Sequence, residues 1–106
     1  MIVQTVNNIA KNKLRVYIQY SNKTNKSEID DLASHLKDYY LIPLINFVEN
    51  KSGYTNKIRY YSNNDLEKAR DLSKKVKEIT GIDFKLKNIN QPKIKNTIEV
   101  WFKNTI

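Results

Sequence analysis

Arginine, tyrosine and glutamine side chains alternate with apolar ones along residues 14–20 of this chain. Successive side chains of a β-strand point to opposite faces, so Arg15, Tyr17 and Gln19 share one face and the apolar residues share the other. A guanidinium offers forked donors to phosphate, an aromatic ring stacks on a base or sugar, and an amide contacts a polar edge. The spacing therefore predicts a strand with one face in the core and one face available to a ligand.

Polar and aromatic residues recur at the same spacing in three later segments, 57–62, 83–87 and 97–102, which the sequence also predicts as strands. The alternation assigns Lys57 and Glu99 to the same open face. Together with the first strand, these segments supply a basic and aromatic surface. The predicted ligand-binding residues are Arg15, Tyr17, Gln19, Arg59, Tyr61, Lys85, Lys87 and Trp101.

Two helices and an irregular strand complete the predicted elements. Apolar residues recur every three or four positions over 26–38 and 64–80, and Gly81 follows the second helix as a left-handed terminator would. The apolar run 41–48 is interrupted by Pro43, which removes a ladder donor and favours a strand at or near a sheet edge.

The resulting order, β-α-β-β-α-β-β, predicts an α+β fold. We expect a ferredoxin-like βαββαβ two-layer sandwich with an extra C-terminal strand. Both helices would cover one face of a mostly antiparallel sheet, with the first and third strands central. A chain of 106 residues fits one domain, over 14–106, preceded by an N-terminal arm or short strand over 1–13.

The net charge of +8 is distributed unevenly along the chain. The two predicted helices hold seven basic and eight acidic residues out of 19 and 11, which leaves 12 basic and three acidic residues on strands and loops. This segregation favours an anionic partner that approaches the sheet. A lysine-rich composition kept for solubility is the alternative explanation.

Several function classes lack the residues that they need. The chain has no cysteine, two glycines and one histidine, His35, so no metal cluster, phosphate loop or dinucleotide fingerprint is predicted. We therefore predict a noncatalytic protein without metal or cofactor. No apolar run reaches the length of a membrane span, and the first ten residues do not resemble a signal peptide, so a cytoplasmic location without membrane contact is expected.

Several segments together resemble the LytR C-terminal domain, a small bacterial accessory module. The segments that carry the resemblance are 15–19, 43–50, 58–61, the pair Ala69 and Leu72, and 99–102. The resemblance implies two helices on an open sheet and a noncatalytic role beside envelope or effector domains. By the same reasoning a free-standing copy would act as a sensor or sponge.

The leading hypothesis is capture of a compact anionic ligand, with a nucleotide-derived signal as the first class to consider. Arg15 and Arg59 would engage phosphate, while the aromatic residues would stack. Two alternatives remain open: docking of envelope glycan or a partner protein on the same face, and binding of single-stranded nucleic acid. Self-association through a sheet edge or face is also compatible with the pattern.

Overall fold

The computed structural model describes residues 13–21, 26–49 and 55–103, in which five strands and two helices form an α+β fold. The predicted N-terminal arm lies outside the described residues, apart from Lys13. The described strands are β1 (Arg15–Tyr20), β2 (Ile45–Phe47), β3 (Lys57–Tyr60), β4 (Lys85–Asn88) and β5 (Thr97–Phe102). The described helices are α1 (Lys26–Leu36) and α2 (Leu66–Thr80), the second entered through a 3-10 turn at Asn63–Asp65.

The described strands form one mixed sheet in the order β2-β1-β5-β3-β4. β1 is parallel to β2 on one side and to β5 on the other, whereas β3 is parallel to β4 and antiparallel to β5. Each helix therefore links two neighbouring parallel strands, as in a βαβ unit. The last strand joins the two units.

The predicted ferredoxin-like order is wrong in two respects. Three of the four strand pairings within the described residues are parallel, and β5, rather than β1 and β3, occupies the centre. A ferredoxin-like sheet splits each βαβ unit by a strand from the other unit. Here each helical connection returns the chain beside the strand that it left, so both units stay unsplit and the space between them accepts β5.

One hydrophobic core lies between the sheet and the two helices. Ile98 and Val100 of β5 have no exposed surface and Phe102 is 1% exposed, which agrees with their central position. Alternate residues of β1 and β3 join them, and both helices bury an apolar face in the same cluster. Since one core contacts both helices, the opposite face of the sheet is covered by neither.

Gly81 ends α2 as predicted. Its φ of 78° lies in the left-handed region, and its N–H donates to the Lys77 carbonyl oxygen at 2.7 Å. Glycine adopts this conformation without the steric cost of a Cβ, so the helix stops here and the chain turns toward β4.

Replacement of Ile98 tests the central position of β5. Ile98→Ala should lower the free energy of unfolding by about 2–5 kcal/mol, because it leaves a cavity at a fully buried site. Ile79→Ala is the matched control, since Ile79 is 39% exposed near the end of α2. Its cost should be about 0.5 kcal/mol or less. If urea unfolding shows that both variants lose the same free energy of unfolding, the central placement of β5 is contradicted.

Candidate functional site

The sheet register places six of the eight predicted binding residues in two rows on the face opposite the helices. Cross-strand neighbours share a face, so the pairings define two rows that cross the sheet. In order across the strands, the first row contains Tyr17, Glu99, Arg59 and Lys87. The second row contains Asn46, Gln19, Trp101, Lys57 and Lys85. We call this surface the open face.

Glu99 lies at the centre of the open face and holds several of the predicted residues in place. Gln19 Nε2 donates to Glu99 Oε2 at 3.0 Å, and Trp101 Nε1 donates to Glu99 Oε1 at 3.4 Å. Arg59 Nε lies 3.4 Å from Glu99 Oε1, an ion pair without hydrogen-bond geometry. The Glu99 side chain is 17% exposed, so its charge is compensated by these neighbours rather than by open solvent.

Tyr61 contacts the same carboxylate from a position just beyond the end of β3. Burial, the negative charge of Glu99 and a side-chain hydrogen bond to Glu99 raise the pKa of Tyr61 from 10.0 to about 12, while the positive charge of Arg59 acts in the opposite direction. The phenol therefore stays protonated over the physiological range. The predicted strand 57–62 ends two residues earlier, at Tyr60, but Tyr61 still faces the open side.

Four cationic side chains of β3 and β4 form what we call the basic square: Lys57, Arg59, Lys85 and Lys87. Lys57 stands opposite Lys85, and Arg59 stands opposite Lys87. Like charges at directly opposed positions destabilise a sheet. Burial, followed by the positive charges of Arg59 and Lys87, lowers the pKa of Lys57, with Glu99 opposing the shift.

Trp101 borders the basic square on its inner side. Lys57 Nζ lies 5.0 Å and Arg59 Cζ lies 5.2 Å from the Trp101 ring centroid, within the range of cation–π contacts. On the outer side, at the β4 edge, the lysines of the basic square line an open depression of about 500 Å³. Its volume fits one compact ligand. The residues that line it are Thr55, Lys57, Lys85, Leu86, Lys87 and Asn88.

Arg15 stands apart from this cluster, whereas Tyr17 lies opposite Glu99 in register. Arg15 is exposed at the start of β1 opposite Thr97, and its Nη2 donates to the Lys95 carbonyl oxygen at 3.3 Å. One strand, β5, lies between β1 and β3, and the two arginines also differ in register, because Arg15 stands opposite Thr97 and Arg59 stands opposite Glu99. The structure therefore does not bring together the two arginines that were predicted to share a phosphate.

Two residues of the cluster are absent from the predicted binding set, although the alternation assigned both to the open face. Lys57 completes the basic square, and Glu99 organises its inner border. The signal for Lys57 was its spacing of two from Arg59. Glu99 is central because β5 lies between β1 and β3. The alternation of side chains predicts the face on which a residue lies but not the order of the strands.

The helical layer has a depression of about 390 Å³ between the end of α1 and α2, but acidic side chains (Asp38, Asp71 and Glu78) line it together with Lys74 and Lys75, so it lacks the uniform positive charge of the basic square. His35 is exposed on α1, with Nδ1 2.9 Å from the Asp31 carbonyl oxygen. No group of three or more histidine, cysteine, aspartate or glutamate residues in 13–21, 26–49 and 55–103 could hold a metal ion. None of the helices described in the structure has the length and apolar character needed to cross a membrane.

No protein-family model, no curated protein sequence and no solved structure matches this chain. The resemblance to LytR C-terminal domains therefore stays a prediction from the sequence. The functional proposal below rests on the geometry and charge of the open face.

Titration of Tyr61 tests its contact with Glu99. The tyrosinate absorbance of wild type minus that of Tyr61→Phe should show one ionisation near pH 12. Because the pKa is raised in the folded state, the stability that Tyr61 contributes is fully present below pH 10 and is lost as the pH rises toward 12. Glu99→Gln should lower this pKa, since only burial would still raise it. An unchanged pKa in Glu99→Gln would exclude Glu99 as the partner.

Proposed function

We propose that this protein is a noncatalytic binding module that captures a compact anionic ligand on its open face. A nucleotide or nucleotide-derived signal is the ligand class that fits best, and the protein would act as a sensor or sponge for it. The observation that carries the proposal is the basic square, in which two like-charged pairs stand opposite each other beside Trp101.

A bound anion would offset an electrostatic cost that the folded chain now bears. The pKa of Lys57 is lowered, because partial burial and the charges of two neighbouring cations, Arg59 and Lys87, disfavour the charged ammonium form. Glu99 is the single carboxylate among the described strand residues of the open face, and Arg59 already pairs with it. A phosphate group placed between β3 and β4 would supply the missing negative charge and accept hydrogen bonds from several lysines.

The aromatic border supports a nucleotide rather than a simple inorganic anion. Stacking of a base on an aromatic side chain contributes about 1–3 kcal/mol. Trp101 lies next to Lys57 in register, so one ligand can contact the indole and the basic square together. Gln19 stands opposite Trp101 and is oriented by its hydrogen bond to Glu99, which places an amide where it can contact the edge of a base.

The resemblance to LytR C-terminal domains supports the accessory, noncatalytic character of the proposed module. A cytoplasmic location belongs to the same proposal, because nucleotide signals are made and sensed there. Native mass spectrometry of the protein purified from its natural host would identify a retained ligand directly.

Single-stranded nucleic acid is the second candidate, favoured by the position of Arg15. This exposed cation lies away from the basic square, so the positive charge of the open face extends across several strands. A polyanion that neutralises many cations loses affinity steeply with salt, whereas one small ligand on one site loses less. Binding measured at two or more salt concentrations separates the two functions.

Charge reversal at the outer edge tests the proposed site. Lys85→Glu/Lys87→Glu should weaken binding of inorganic pyrophosphate, mononucleotides or cyclic dinucleotides by about tenfold or more, because hydrogen bonds to charged groups contribute roughly 1.5–3 kcal/mol each. Thermal stabilisation by these probes provides the measurement. Both lysines are exposed, so the fold should survive the change.

The matched control for that variant is Lys74→Glu/Lys77→Glu. These lysines are exposed on α2 and give the same change in net charge on the helical layer. Binding should persist in this control. Equal losses in both double variants would show that net charge alone is responsible, and unaltered binding after reversal at 85 and 87 would refute the proposed site. If a neutral glycan binds the wild type and both double variants with the same affinity, docking of envelope glycan is favoured instead.

Glu99→Gln should tighten anion binding several-fold. Glu99 competes with an incoming anion for Arg59 and also repels it, and glutamine removes the charge with little change in shape. Glu67→Gln is the control, because Glu67 carries the same charge on α2 and pairs with Arg70. Affinity that falls or stays constant in Glu99→Gln would contradict a competing role for Glu99.

A further inference from the structure

We infer that the ligand of the open face carries at least two linked phosphate groups, as a nucleoside diphosphate or triphosphate does. Its base lies toward Trp101 and its terminal phosphate lies over Lys85 and Lys87. The inference rests on the proposed function and adds to it the number of phosphates and the direction of the ligand. Three observations carry it: the excess charge of the basic square, the division of its cations between two strands, and the depression at the β4 edge.

The basic square carries more positive charge than one phosphate neutralises. Among the described strand residues of the open face, its four cations meet one carboxylate, Glu99, which pairs with Arg59. Three positive charges are therefore left in excess. A terminal phosphate carries a charge of about −1.5 to −2 at neutral pH. A single phosphate leaves part of the excess uncompensated, whereas two linked phosphates balance it.

The cations form two ranks with different surroundings. Lys57 and Arg59 on β3 are the inner rank, and both lie against the Trp101 ring, with Nζ 5.0 Å and Cζ 5.2 Å from its centroid. Lys85 and Lys87 on β4 are the outer rank, and both side chains are exposed. In the part of the chain that the structure describes, no acidic side chain forms an ion pair with either outer lysine. One phosphate for each rank is the arrangement that uses both.

The order of the strands gives the ligand its direction. β5, β3 and β4 are consecutive in the sheet, so Trp101, Lys57 and Lys85 follow one another in the same row. At about 4.8 Å between strands, the outer lysine lies roughly 10 Å from Trp101 across the sheet. A nucleotide whose base lies near Trp101 extends its phosphates across β3, and a second phosphate reaches β4. The reverse direction would bring the terminal phosphate toward Glu99, which repels it.

The depression at the β4 edge fits the end of a ligand. Its volume is about 500 Å³, and three lysines of the basic square line it. β4 is the last strand on this side of the described sheet, so the row of cations ends there. A phosphodiester inside a polymer carries about one charge, less than a terminal phosphate. The outer rank therefore favours a terminal phosphate over the backbone of a nucleic acid.

Isothermal titration calorimetry with the full chain, at one salt concentration and without divalent cations, tests the number of phosphates. The pairs to compare are AMP with ADP, GMP with GDP, and inorganic phosphate with pyrophosphate. For each pair that binds, we expect the two-phosphate member to bind about tenfold or more tightly. Equal affinities within the pairs would overturn the inference and leave the proposed function standing. If none of the probes binds, the proposed function fails together with the inference.

Lys85→Gln/Lys87→Gln distinguishes the outer rank from the net charge of the protein. It removes two cations without adding negative charge, so it should lose most of the preference for two phosphates and keep the affinity for one. Lys74→Gln/Lys77→Gln is the matched control, because it removes the same charge at exposed positions of α2. The control should keep the preference. An equal loss in both variants would assign the preference to net charge and contradict the inference.

The fluorescence of Trp101 reports the direction of the ligand, because the chain contains one tryptophan. A base close to the indole should change this fluorescence when ADP or GDP binds, and pyrophosphate, which has no base, should change it less. If saturating nucleotide and saturating pyrophosphate give responses of the same size, the base does not lie toward Trp101 and the proposed direction is wrong.

Discussion

Backbone hydrogen bonds made by the last strand hold the two halves of this sheet together. β5 pairs with β1 over six residues in parallel and with β3 over four residues in antiparallel orientation. Without β5, each half would be a βαβ unit with two strands, and no strand pairing would join one half to the other. The strand that arrives last in the chain therefore completes the core on one face, and it also sets the spacing between all cationic and aromatic residues on the other.

Glu99 shows how this constraint produces the candidate site. Its position on the central strand lets it accept hydrogen bonds from Gln19 and Trp101 and pair with Arg59, so residues from three strands converge on one carboxylate. These contacts hold the side chains in place before any ligand arrives, while the negative charge of Glu99 opposes an incoming anion. Glu99 lies on the central strand and is the single carboxylate among the described strand residues of the open face, so Lys85 and Lys87 on β4 have no acidic neighbour there. The positive charge therefore increases toward the β4 edge.

Alternation in the sequence predicts faces well and distances poorly. The side-chain period of two is local, so it placed Arg15, Arg59 and Trp101 on one face whatever the order of the strands. Strand order depends on long-range pairing. The sequence therefore did not reveal that β5 separates β1 from β3, nor that Arg15 lies away from Arg59. The predicted helix 26–38 ends at Leu36, because the N–H groups of Tyr39 and Tyr40 both donate to the Leu36 carbonyl oxygen and the chain turns there.

The two edges of the sheet differ in charge. β4 carries Lys85 and Lys87 at one edge, whereas β2 at the other edge has no charged residue. The fields of neighbouring cations sum, so an anion is attracted most strongly over β3 and β4. Glu99 lies on the central strand and pairs with Arg59, so its negative charge reduces this attraction on the inner side of the basic square. A ligand of the proposed class would therefore have one favoured orientation, with its anionic group over the lysines and its ring toward Trp101.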